Sequence, residues 1–452
     1  MWIIFSIFFL FLALLLQSDT ALSAASPFSS CDPACQKQYR ALLVAEAASW
    51  VTLDINTDPF YDNPANLSSY HAGDVVKWQD LSSTEVTAMW DVPGGMSLSR
   101  IFYVSEDIHG NPIPATGYVL FPYSSPIGGS RPLRTVVFTH GTAGGTGQCA
   151  PSNHKTLYYS WSGPFALAQQ GYLVIAPDWA GQGSHTPQGF TYEAGRLHAK
   201  DVGFAIQATR KELGPLITHE WVVAGHSEGG LAAWRAAEYE ATENATGGLI
   251  GAVSMAPALR PLTLMEQYIR VGQKNSGAGA IAVYLLQSIS RLFPSQLKVE
   301  DYLSDVGMAR LPLLNSGCLD SGGTLVADIG TTAWFKNTSW LTHEVTRDWN
   351  DRFNWVGPRA LAAPMLVVQG DQDILVFANM TDLDFNKTCE AFPTSKIELT
   401  VYPGADHDTV TTAAQPDWLR WIAARFDNSA VGEGCVRRTV RAVNDRMSNT
   451  VV

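Results

Sequence analysis

The sequence is short of charge. Only 16% of its 452 residues are charged, and the formal net charge is −12. No long run of Lys or Arg occurs, so the electrostatic footprint of a nucleic-acid partner is missing and none is expected. No set of cysteines has the clustered spacing of a zinc site, so no metal is expected. The apolar run from Met1 to Leu16 is shorter than the roughly 20 residues of a membrane span. It ends at Gln17-Ser18-Asp19, and small residues follow (Ala21-Leu22-Ser23-Ala24-Ala25). This pattern reads as a signal peptide over 1–24, although no Lys or Arg precedes the apolar run. The rival reading is an uncleaved anchor. The expected location is secreted and extracellular.

What is present points to a globular chain. Hydrophobic residues make up 46%, enough for a large core. Six cysteines follow the leader, at 31, 35, 149, 318, 389 and 435. An even number behind a signal peptide suggests disulfides. Cys31 and Cys35 are close enough for a local bridge. Glycosylation sequons stand at Asn66, Asn244, Asn337, Asn379 and Asn386, which suits a secreted surface.

After an irregular segment at 25–95, packed on the core, strand patterns begin. Arg100 to Ser105 and Thr116 to Pro122 flank the turn His109-Gly110-Asn111-Pro112 and read as a hairpin. A continuous apolar, β-branched run follows at 135–139, and further strand patterns follow at 172–176, 220–224, 249–256, 364–369 and 396–402. They alternate with helical patterns near 164–170, 196–211, 231–239 and 415–426. This alternation predicts an α/β class with a mostly parallel sheet covered by helices on both faces. Residues 96–257 and 364–430 would form the two parts of the core, and 431–452 a C-terminal tail. The segment 258–363 breaks the alternation. Ile281, Leu285, Ile289 and Leu292 recur there at helical spacing, so it reads as a helical cap over the carboxyl ends of the strands, where such sheets bind ligands. Most of that stripe would be core, with a few side chains lining a pocket.

The chemistry centres on Gly225-His226-Ser227-Glu228-Gly229, between a strand and a small, Ala-rich helix. Strand, Gly-x-Ser-x-Gly, helix is the context of a nucleophile elbow, with Ser227 on a sharp, strained turn. A serine hydroxyl needs a base, and the base needs an acidic orienter. Downstream of Ser227 the histidines are His343, inside the cap, and His407, in a loop after the last core strand. His407 is the candidate base. The preceding core strand leads into Gly370-Asp371-Gln372-Asp373; Asp373 is the preferred acid and Asp371 the alternative. The oxyanion hole would take the backbone N–H of Glu228 and that of Thr142, in the His140-Gly141-Thr142 loop. His140 and His226 read as local braces, and Asp178 as a turn former. This chemistry requires no cofactor.

The chain resembles the secretory lipase family over roughly residues 55–426. The resemblance rests on Asp58-Pro59-Phe60-Tyr61, Gly73-Asp74-Val75-Val76, Thr139-His140-Gly141-Thr142, Cys149-Ala150-Pro151-Ser152, the elbow with Gly230, and Gln369-Gly370-Asp371-Gln372-Asp373. It implies an α/β-hydrolase fold with an inserted helical lid, and lipase or esterase activity. It also implies pairing of Cys149 with Cys318 and of Cys389 with Cys435, which leaves Cys31 and Cys35 to each other. Glu228 stands where smaller residues are common in the family, and its carboxylate would oppose an oxyanion unless it points away. The expected activity is hydrolysis of apolar acyl esters such as triacylglycerols, at a lipid–water interface where the substrate requires one. No obligate protein partner is evident. The alternatives are a peptidase or amide hydrolase on the same fold and a non-catalytic binding protein.

Overall fold

A computed structural model describes residues 30–124, 132–159, 162–271 and 278–440. The signal-peptide reading over 1–24 lies outside the described residues. Among those residues no helix is long and apolar enough to cross a membrane.

Among the described residues, ten strands form one sheet: β1 (Val75–Asp80), β2 (Ser97–Glu106), β3 (Pro112–Phe121), β4 (Leu133–Thr139), β5 (Leu173–Pro177), β6 (Ile217–His226), β7 (Leu249–Met255), β8 (Met365–Gly370), β9 (Ile397–Tyr402) and β10 (Cys435–Thr439). Their order is β1-β2-β3-β5-β4-β6-β7-β8-β9-β10. The hairpin β2–β3 and its flanking pairs with β1 and β5 are antiparallel. From β5 onward every pair is parallel. The neighbours Val136 and Val137, Val222 and Val223, and Val367 and Val368 fall alternately into two large apolar clusters. Both faces are therefore dry, which is why these strands read as unbroken apolar runs.

The helices are α1 (Pro33–Ser49), α2 (Ser83–Met89), α3 (Pro164–Gln169), α4 (Gly195–Leu213), α5 (Glu228–Glu243), α6 (Pro261–Val271), α7 (Ala278–Leu292), α8 (Asp305–Leu314), α9 (Leu319–Ile329), α10 (Glu344–Trp349), α11 (Ala378–Ala391), α12 (Thr409–Ala413) and α13 (Gln415–Phe426). Helices α6 to α10 lie between β7 and β8. Buried side chains of α6 and α7 (Leu264, Met265, Leu285, Ile289) join the same cluster as the sheet face under α4 and α5. Cap and core thus share one apolar interior.

Two segments differ from the sequence reading. The stretch 25–95, read as irregular, contains α1, α2 and β1. Helix α1 is started by Asp32, whose carboxylate accepts from the Ala34 and Cys35 amides, with Pro33 in the first turn. It buries Cys35, Tyr39 and Glu46, with Leu43 and Ala47 only partly buried, so its apolar stripe is narrow and mixed with a carboxylate. The stretch 431–452, read as a tail, contributes β10, which extends the sheet in parallel beside β9. Its burial is slight, so backbone pairing with β9 and the disulfide at Cys435 hold it. Disulfides join Cys31 to Cys35, Cys149 to Cys318 and Cys389 to Cys435.

Helix α1 is tied to the cap through one buried acid. The Glu46 carboxylate accepts from the Cys318 and Ser321 amides, both at 2.9 Å, and from the Ser321 hydroxyl at 2.7 Å. It therefore caps the first turn of α9 from outside that helix. Replacing Glu46 by Ala strands these buried donors. The expected loss is about 2 kcal/mol of unfolding free energy, read from denaturant midpoints, with Glu46→Gln recovering part of it. Unchanged stability in Glu46→Ala would contradict this tie.

Candidate active site

Ser227 sits between β6 and α5 with φ 60° and ψ −121°. A side chain other than hydrogen is strained there, typically by about 1–3 kcal/mol. The surroundings enforce it. A Cβ on Gly225 would lie 1.9 Å from the Thr139 hydroxyl, and one on Gly229 would lie 1.9 Å from the Thr139 carbonyl oxygen. The backbone of the elbow is pressed against the end of β4 at a distance only glycine permits. The Thr139 hydroxyl donates to the Gly229 carbonyl at 2.7 Å and closes the turn.

His407 lies in the loop between β9 and α12. Its Nδ1 is 2.8 Å from Asp373 Oδ2. The other carboxylate oxygen of Asp373 accepts from the Leu375 and Val376 amides at 2.9 and 2.7 Å. The acid is buried and fixed on both oxygens. Burial alone would lower the His407 pKa. The Asp373 charge and hydrogen bond, with help from Asp408 and Asp406, outweigh burial and raise it above 6.5. Asp371, the alternative acid, instead accepts from the Gly404 amide at 2.7 Å and is exposed. His343 caps α10 within the insertion, accepting from the Val345 amide.

Ser227, His226 and His407 line one cavity of about 510 Å³. Its other walls include Thr142, Tyr158, Tyr159, Tyr192 and Glu193 on one side, and Ala258, Leu264, Met265, Ile281, Leu375 and Val376 from the cap and the β8 loop. Of the sequence-predicted cap stripe, Ile281 reaches the cavity, and Leu285 and Ile289 are core.

The Thr142 loop is held by tyrosines. The Tyr158 hydroxyl donates to the Thr142 carbonyl, Tyr192 Oη is 2.7 Å from Thr142 Oγ1, and the Gly141 amide donates to Tyr159 Oη. Glu228 opens α5 with its side chain buried. Its Oε1 accepts from the Glu193 amide and lies 3.0 Å from His198 Nε2. The carboxylate is thus directed into the α4 side. Glu193, with φ 52°, has its carboxyl pushed well above the usual range by burial and then by the Glu228 charge.

Two side chains read as minor have defined tasks. Buried Asp178 accepts from the Ser152 amide at 2.8 Å and the Thr116 hydroxyl at 2.8 Å, pinning the Cys149–Ser152 turn onto β3. Its pKa is raised to about 6, chiefly by burial. His140 Nδ1 is 2.7 Å from its neighbour's carbonyl, Gly141 O, and burial lowers its pKa to about 3. The tyrosines, Glu193 and His198 were not singled out from the sequence. The adjacent pair Tyr158-Tyr159 after the oxyanion loop was the available signal. The sequon asparagines Asn66, Asn244, Asn337, Asn379 and Asn386 are all exposed. Among the described residues, His226, His407 and Asp408 bring three possible metal ligands within 4.8 Å of one another. Two of their ring nitrogens are committed, His407 Nδ1 to Asp373 and His226 Nε2 to the His407 carbonyl.

The strand order, the sharp serine turn and the helical insertion together define an α/β hydrolase. Residues 136–420 match the sequence profile of the Alpha/beta hydrolase family, and the chain belongs to that family. It is similar to a secreted triacylglycerol lipase of Malassezia globosa, with 23% identity over 412 residues, 84% of this chain and 81% of that one. It is also similar to a "Probable inactive lipase" of Mycobacterium tuberculosis, with 23% identity over 401 residues and 84% of each chain. Among solved structures, lipase A of Candida antarctica in its closed state superposes with a TM-score of 0.70 at 16% identity, covering 87% of this chain and 91% of that one.

The Asp373–His407 pair is directly measurable. The His407 imidazole should titrate above 6.5 by NMR, and below 6.5 in Asp373→Asn, where burial persists and the charge is gone. The same midpoint in both proteins would show that the pair does not set this titration.

Proposed function

We propose that the protein is a secreted serine carboxylic-ester hydrolase of the lipase/esterase type, acting on apolar acyl esters such as triacylglycerols. The observation that carries this reading is the buried Asp373–His407 pair lining the same cavity as Ser227 on its strained turn. Ser227 Oγ attacks the ester carbonyl carbon while His407 Nε2 takes the hydroxyl proton. The Thr142 and Glu228 amides stabilise the tetrahedral oxyanion. Collapse breaks the bond to the alkoxy oxygen, which leaves as the alcohol with the His407 proton. Water, deprotonated by His407, then attacks the acyl-enzyme and releases the acid and free Ser227. Asp373 holds the imidazole with Nδ1 as donor and stabilises the imidazolium.

The apolar wall of Leu264, Met265, Ile281, Leu375 and Val376 suits an acyl chain. The likeness to a secreted triacylglycerol lipase points the same way. The three disulfides, the apolar N-terminal run and the exposed sequons support secretion. The similarity to a relative named as inactive keeps a non-catalytic binding role as the second reading.

Initial rates on p-nitrophenyl esters from short to long acyl chains, with wild type and Ser227→Ala, test the proposal. Wild type should turn over esters, and the variant should lose at least about a thousandfold while keeping its fold. An optimum at long chains assigns a lipase, and one at short chains an esterase. Undiminished turnover in Ser227→Ala, or none in wild type, would contradict the proposal.

A further inference from the structure

The oxyanion loop and the base loop reach Ser227 from opposite sides, on β4 and β9. One chain of polar groups passes beside the nucleophile and joins them. The Gly141 amide donates to Tyr159 Oη. Tyr159 Oη is 3.4 Å from His226 Nδ1. His226 Nε2 is 2.8 Å from the backbone carbonyl of His407. The His226 and His407 rings lie 4.6 Å apart, centroid to centroid.

One assignment of protons satisfies every link. A carbonyl only accepts, so His226 carries its proton on Nε2. Its Nδ1 is then an acceptor in the neutral ring. Tyr159 Oη receives the Gly141 N–H and gives its own proton to Nδ1. Burial, followed by the charge of His407, lowers the His226 pKa to about 4, which keeps the ring neutral at ordinary pH. The Tyr159 hydroxyl stays protonated, because burial pushes its pKa up.

The chain also sorts the amides of the oxyanion loop. Gly141 is committed to Tyr159. A Cβ on Gly141 would crowd the Tyr159 hydroxyl and lie 3.2 Å from Ser227 Cβ. The loop is thus clamped at Gly141 between Tyr159 and the nucleophile, and Thr142 is the next residue along. On the other side, the carbonyl held by His226 belongs to the same residue whose imidazole serves Ser227.

We propose that Tyr159 and His226 are positioning residues for ester hydrolysis, forming a hydrogen-bonded link that fixes the oxyanion loop and the His407 main chain in register across Ser227. This rests on the serine-hydrolase reading above. The two residues act through Gly141 and His407, and neither takes a proton from the substrate. Shifts on the order of 1 Å at such groups cost about a hundredfold in rate.

The test uses the full chain with Tyr159→Phe, His226→Phe and the double variant. For a p-nitrophenyl ester, Tyr159→Phe should lower kcat about ten- to a hundredfold with KM within about twofold. The affinity for an alkyl boronic acid, which forms a tetrahedral adduct on the serine, should fall by a matching factor. The double variant should lose no more than the worse single variant, because cutting a chain twice adds nothing. Tyr159→Phe is near-isosteric and should keep its fold, with a modest fall in melting temperature from the stranded Gly141 amide, so it reads the link even where His226→Phe folds poorly. Wild-type kcat and boronate affinity in Tyr159→Phe would overturn the link while leaving the serine-hydrolase reading intact. So would fully additive losses in the double variant. A wild type that neither hydrolyses esters nor binds the boronate would overturn both.

Discussion

The close approach of the elbow to the end of β4 is the constraint on which the site depends. Gly225 and Gly229 have no room for a side chain beside Thr139. Thr139 in turn is fixed by pairing with Gly225 across β4 and β6. Ser227 is therefore lifted out of the sheet with a positive φ that it would not adopt freely. The strain is held by two central strands buried on both faces, and packing around them supplies far more than the few kcal/mol it costs. The first turn of α5 follows at once, so backbone N–H groups converge beside the serine without any side chain having to move.

Around this fixed point the chain assembles parts from distant segments. The loop after β4 is bridged to the cap by Cys149–Cys318, and Cys318 is also the residue whose amide Glu46 holds. Helix α1, the loop after β4 and helix α9 are thus one unit. Asp178 fastens the same loop to β3 from below. The His407 loop is tied by Asp373 through the imidazole and by His226 through the His407 carbonyl. Glu228 follows the same logic. Its carboxylate accepts from the Glu193 amide and lies beside His198.

The parts of this arrangement that were legible in sequence are those with a local cause. Unbroken apolar runs marked the central strands because both faces are dry. Position after the last core strand distinguished His407 from His343, and spacing from Gly370 with the apolar Ile374-Leu375-Val376 that follows favoured Asp373 over Asp371. Helix α1 was hidden because its apolar face is narrow, with Cys35 and Tyr39 buried beside a glutamate and Leu43 and Ala47 only partly covered. Strand β10 was hidden because it is mostly exposed and held by backbone pairing and a disulfide rather than by buried apolar side chains. The tyrosine clamp on Thr142 and the Glu228–His198 contact join residues far apart in sequence. No spacing rule finds such contacts, and only the folded chain brings Tyr192 to Thr142 or His198 to Glu228.

The proposed role of Ser227, as a nucleophile made reactive by His407 and Asp373, is read covalently by exposure to a p-nitrophenyl alkylphosphonate followed by peptide mass spectrometry. Stoichiometric phosphonylation of the peptide carrying Ser227 is expected, with release of one equivalent of p-nitrophenol and strongly slowed labelling in His407→Ala. Labelling at another serine, or equal rates with and without the His407 imidazole, would contradict it.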